Sequence, residues 1–194
     1  MMFEGFLIMC GAALATGVAV LRHRFAGFRA QRVEDYADTL PRFDLRQHLN
    51  GAMRCEGVIY GPLGRVASRF SARFDARWDG NKGVMAERFT YDSGTVQERE
   101  WRLELGNDGR IRAEADDVVG TGQGRHAGAA VQLCYDIRLP AEAGGHVLSV
   151  DDWMYLTPAG TIVNRSQFRK YGIKVAELVA TLHRLDDTDI RKAA

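Results

Sequence analysis

The side chains best placed to do chemistry lie in two runs, Asp151-Asp152-Trp153-Met154-Tyr155-Leu156 and Thr161-Ile162-Val163-Asn164-Arg165-Ser166-Gln167-Phe168. Between them stands Thr157-Pro158-Ala159-Gly160, and β-branched and aromatic runs flanking such a turn predict a β-hairpin. A loop of two or four residues pairs positions of odd sum, which puts Asp152 on one face with Arg165, Leu148, Val150, Met154 and Val163. A carboxylate held among apolar side chains can serve as a general base, and a guanidinium beside it can stabilise an oxyanion or grip an anionic head group. An interior ion pair that fixes the register is the purely structural alternative.

Other residues could contribute. Asp116-Asp117 places one carboxylate on each face of a strand, which makes Asp117 a second candidate base. Trp101, Tyr135 and Met154 are candidate walls for a lipophilic ligand, with Asp152, Arg165 and Asn164 as its polar anchor. No residue is assigned a catalytic role. Gly120 to Gly128 has Gly-x-Gly-x-Gly spacing, but it lies between strands and opens no helix, so it reads as a loop and not a phosphate cradle. Cys10, Cys55 and Cys134 show no metal-ligand spacing, nor do His126, His146 and His183. Neither a metal nor a cofactor is expected.

The elements that must position these groups read as strands. Val66, Ser68, Phe70, Ala72, Phe74, Ala76 and Trp78 alternate with Arg65, Arg69, Arg73, Asp75 and Arg77, giving one buried face and one wet face. Further strands are predicted at Met53–Tyr60, Lys82–Tyr91, Thr95–Leu105, Arg110–Val119, Ala129–Leu139 and Ile173–Leu185, with turns about every dozen residues. Eight or nine strands with almost no helix between them predict an all-β, antiparallel up-and-down barrel, whose closure hides the sheet edges. With 26 basic and 25 acidic side chains in 194 residues, no electrostatic footprint for nucleic acid exists.

Phe6 to Leu21 is apolar or small throughout, and its glycines suit a membrane helix better than a soluble one. Arg22, His23, Arg24 and Arg29 follow it, which favours a single N-terminal anchor in a cell membrane with the domain on the cytoplasmic side. Leu7-Ile8-Met9-Cys10-Gly11 offers the alternative of a periplasmic lipoprotein. Gln31 to Leu40, closed by Pro41, predicts a short amphipathic helix. The expected organisation is a membrane segment at 1–24, a linker with that helix at 25–50, a barrel at 51–186 and a polar tail at 187–194.

Asp116-Asp117-Val118-Val119-Gly120, Asp151-Asp152-Trp153-Met154-Tyr155, Asn164-Arg165-Ser166 and Lys170-Tyr171-Gly172 occur in an order that resembles the bacterial lipocalin-like family catalogued as domain of unknown function 3833. The resemblance covers roughly Leu45 to Arg184. It implies a lipocalin-like barrel with a membrane-associated N-terminus and supplies no reaction. Gly51-Ala52-Met53 stands where true lipocalins carry Gly-x-Trp, so kinship with secreted carriers is architectural. The expected function is a membrane-tethered barrel that binds a lipophilic small molecule. The alternatives are an enzyme on a lipid-like substrate with Asp152 or Asp117 as base and Arg165 at the oxyanion, or an assembly factor with a filled barrel.

Overall fold

The computed structural model describes residues 2–185, giving the backbone alone for residues 2–8, 23 and 24. The polar tail expected at 187–194 lies outside the described residues. After helix α1 (Met2–Phe25) and the four-residue helix α2 (Leu45–His48), the chain is sheet. Its strands are β1 (Gly51–Tyr60), β2 (Val66–Asp79), β3 (Lys82–Tyr91), β4 (Val96–Leu105), β5 (Arg110–Glu114), β6 (Gly122–Ala127), β7 (Ala130–Arg138), β8 (Val147–Leu156), β9 (Ile162–Lys170) and β10 (Ile173–Arg184). Each pairs antiparallel with its neighbour in sequence, and β1 pairs with β10 to close the barrel.

There are ten strands among the described residues, not eight or nine. The glycine run expected to be a loop holds β6. A Cβ on Gly124 would stand 2.4 Å from both the Gln132 carbonyl oxygen and Leu133 Cδ2, so glycine marks a close approach between strands there. β5 is correspondingly short, ending at Glu114 and not at Val119. Alternation holds along β2, where Phe70 and Phe74 are buried and Arg69 and Arg73 exposed. Trp78 is half-buried and donates its indole N–H to the Leu49 carbonyl at 2.7 Å.

That hydrogen bond ties the wall to a plug. Asp44 accepts from the Arg46 backbone N–H at 3.0 Å, capping α2, and Phe43, Leu45 and Leu49 are each 1% exposed within the barrel core. Each leucine so buried stabilises the closed end by about 1.5–3 kcal/mol.

The helix expected over Gln31–Leu40 is instead a 3-10 turn at Val33–Tyr36, preceded by another at Phe28–Ala30. In a 3-10 turn residues three apart eclipse, so Val33 and Tyr36 face the barrel together. They pack on the outer face of the sheet with Ala130 and the fully buried Trp153. The Tyr36 ring centroid is 5.7 Å from that of Trp153, and the hydroxyls of Tyr36 and Tyr155 both donate to Gln31 Oε1, at 2.5 and 2.7 Å. Residues 28–39 thus form a strap across the outside of the sheet.

The expected membrane-crossing segment at 1–24 is not supported. Among the described residues no helix is long and apolar enough to cross a membrane. The uncharged run between Glu4 and Arg22 holds three Gly and four Ala, and its about 17 residues stand at the short end of the roughly 17–25 that a spanning helix uses.

Candidate functional site

The site begins with the β8–β9 turn. The Thr157 N–H donates to the Thr161 carbonyl at 2.9 Å, so the loop proper holds three residues and paired positions have even sums. Asp152 therefore faces Ser166, and Arg165 faces Trp153. The expected Asp152–Arg165 pair does not form, because a one-residue change of register moves a side chain to the other face. Arg165 lies outside the barrel, where its Nε donates to Glu177 Oε1 at 2.6 Å and its guanidinium stands 4.9 Å over the Phe28 ring. It can neither anchor an interior ligand nor stabilise an oxyanion at Asp152.

Inside, Asp152 is the hub of a polar cluster. Asn164 Nδ2 and Ser166 Oγ donate to its Oδ1 at 2.6 and 2.7 Å, and the Tyr135 hydroxyl lies 3.5 Å from Oδ2. Asp152 is half-buried because the surface it keeps faces the cavity. Burial raises its pKa above the usual carboxylate value, with the Ser166 and Asn164 donors opposing. Asp151, one residue earlier, faces outward and accepts from Gln132 Nε2 at 2.8 Å.

Two further charged groups enter the barrel. Glu87 on β3 is 7% exposed, and Arg99 on β4 lies opposite it. The Arg99 guanidinium stacks 4.0 Å over the Trp101 ring, which in turn meets the Tyr135 ring edge-on at 5.1 Å. Continuing the β4–β5 register past the last paired residue brings Asp117 opposite Arg99, and the Asp117 carboxylate lies 3.0 Å from Arg99 Nε. The angle is poor. Arg99 Nε and Nη2 and Asp117 Oδ1 are buried without a hydrogen-bond partner. Asp116 points the other way and pairs with Arg102 at 3.0 Å.

Burial pushes the Glu87 carboxyl up to about 8, Asp152 and Asp117 reinforcing and Arg99 opposing, so it is protonated near neutral pH. For Arg99, burial alone would favour the neutral form, but Tyr135, Glu87 and Asp117 overcome it and hold the group charged. Burial pushes the Cys55 thiol up to about 12, which leaves no thiolate nucleophile in the cavity. Among the described residues no group of three metal-ligating side chains occurs.

Two spaces meet at Arg99. The inner one, of about 100 Å³, is walled by Phe70, Phe74, Phe89, Trp101, Met154 and Phe168, with Tyr135, Asp152, Asn164 and Ser166 at its polar side. The outer one is a cleft of about 880 Å³, bordered by Arg88, Glu98, Asp116, Asp117 and Pro140. Phe74, Glu87 and Arg99 line both. The wall is open there because β5 pairs with β4 only from Arg102 to Leu105, leaving the rest of β4 beside the 115–121 loop.

Of the residues expected at the site, Asp152, Asn164, Trp101, Tyr135 and Met154 line the inner cavity, Asp117 lies at the opening and Arg165 is elsewhere. Glu87, Arg99 and Ser166 were not foreseen. Their signal was parity: Arg99 sits two residues before Trp101, and Glu87 falls between Met85 and Phe89.

A closed up-and-down barrel with an aromatic wall and a polar centre is a lipocalin-like fold. The chain belongs to the family described as Protein of unknown function (DUF3833), whose model matches residues 23–184. Among solved structures it is similar to the S-type phycobiliprotein lyase CPES from Guillardia theta, with a TM-score of 0.56 and 8% identity, over 81% of this chain and 99% of that one. At that identity the likeness is one of fold. Comparison with curated proteins returned no match.

Proposed function

We propose that this chain is a small-molecule-binding barrel that takes an amphipathic ligand at the β4 opening, with the polar end at Arg99 and the body in the outer cleft. One observation carries the reading: a buried, charged guanidinium with two unsatisfied N–H donors stands where the inner cavity and the cleft meet. Buried polar groups without partners are costly and rare, and a ligand is one way such groups are satisfied. The lipocalin-like fold supports the class of function. Volume supports this placement. Ligand sites run to about 300–1,000 Å³, so the inner space of about 100 Å³ admits a head group while the cleft of about 880 Å³ admits a body.

Native mass spectrometry of the gently purified full chain tests this. The expected result is an adduct that organic extraction removes and that Arg99→Gln protein lacks. A clean apo mass, with no binding of amphipathic fluorescent probes, would return the barrel to a filled, structural role.

A further inference from the structure

Resting on the preceding reading, we infer that the ligand's polar end is a carboxylate and that it binds by replacing Asp117 on Arg99. The two unsatisfied donors, Nε and Nη2, form one edge of the guanidinium fork. That edge matches a planar carboxylate, which accepts two parallel N–H bonds. Asp117 supplies charge at 3.0 Å without that alignment, and its Oδ1 is itself left without a donor. The resting pair is therefore electrostatically matched and poorly hydrogen-bonded, which is the condition under which a better-aligned carboxylate displaces it.

The surroundings narrow the chemistry. Trp101 covers one face of the guanidinium at 4.0 Å, so a ligand approaches in the plane. Exchanging one carboxylate for another leaves the charge of the site unchanged, and a protonated Glu87 adds no competing anion. A dianionic phosphate would add negative charge beside Asp117 and Asp152. Asp117 has somewhere to go: its side chain is already 25% exposed against 12% for Arg99, and it borders the cleft.

The probes are 1-pyrenebutyrate and 1-pyrenebutanol, which share an aromatic body and differ in the head group, titrated by fluorescence into the full chain. Wild type is expected to prefer the acid by roughly tenfold or more, as two charge-assisted hydrogen bonds imply. Asp117→Asn removes the internal competitor, so the acid should bind several-fold tighter still and the alcohol should be unchanged. Arg99→Lys keeps the charge without the fork and should lose the preference. Equal binding of both probes to wild type would overturn the carboxylate inference and leave the small-molecule reading standing. An Asp117→Asn protein that binds the acid no better would overturn the exchange, whether or not the Arg99 variant folds. Binding of neither probe to either protein would sink this inference, and the underlying reading falls only if native mass spectrometry also shows a clean apo mass.

Discussion

Glu87→Gln tests the electrostatics of the barrel interior through stability. A carboxyl whose pKa is about 8 when folded and about 4.5 when unfolded binds its proton more tightly in the native state. Between those values the native state holds a proton the unfolded chain has released, so stability falls as pH rises, by about 1.4 kcal/mol per unit. The penalty is nearly absent below about pH 4.5 and complete above about pH 8. Integrated from pH 5 to pH 9, it amounts to about 4 kcal/mol. Glutamine fills the same volume and cannot ionise. Urea unfolding followed by tryptophan fluorescence, at unit steps of pH, gives the two stability curves. Titration of groups shared by both proteins, Asp152 among them, cancels in the difference to first order. The variant should gain on wild type by about 4 kcal/mol between the ends of the range. Parallel curves would mean that Glu87 is ionised in the native state, with Arg99 compensating it fully, and the reasoning about its burial would fail.

Other consequences can be measured in the same way. Trp153→Ala should cost about 3–5 kcal/mol in urea unfolding although Trp153 lies outside the barrel, because the strap seals it completely. Gly128→Ala should destabilise by more than about 1 kcal/mol, since φ is +50° there and a Cβ would stand 1.8 Å from the Tyr36 carbonyl oxygen. Limited proteolysis of that variant should cut first within residues 28–39. Arg165 and Glu177 should couple by only about 0.5–1 kcal/mol in a double-mutant cycle, because the arginine is 46% exposed. Arg165→Ala should leave pyrenebutyrate affinity unchanged, and a loss there would return the residue to the site.

Legibility in the sequence follows from how local each signal is. Alternation of large apolar and charged residues in β2 and β3 is a property of consecutive positions, so those strands are readable within a residue of their ends. β6 is not, because its glycines report contact with β7, a neighbour the local pattern does not reveal. The β8–β9 turn turns on a single residue of loop length, and sequence alone does not separate three from four. That difference alone removed Arg165 from the site while Asp152 and Asn164 stayed. Arg99 was hidden for another reason: a charged residue at inward parity reads as the end of a buried stretch. Four residues of α2 are too few to show a helical period.

The early end of β5 has a mechanical consequence. From Val96 to Trp101, β4 has a hydrogen-bonded strand partner only on the β3 side. The 115–121 loop takes a strand's place at this seam: the Val118–Ile137 bridge and backbone hydrogen bonds from the Val119 N–H to the Asp136 carbonyl at 2.8 Å and from the Arg138 N–H to the Asp117 carbonyl at 2.7 Å hold it to β7, while no ladder joins it to Val96–Trp101 of β4. Amide hydrogens facing that loop should accordingly exchange well before those shared by β7 and β8, which pair over nine positions. The route to Arg99 then runs between β4 and that loop, past the Asp117 side chain.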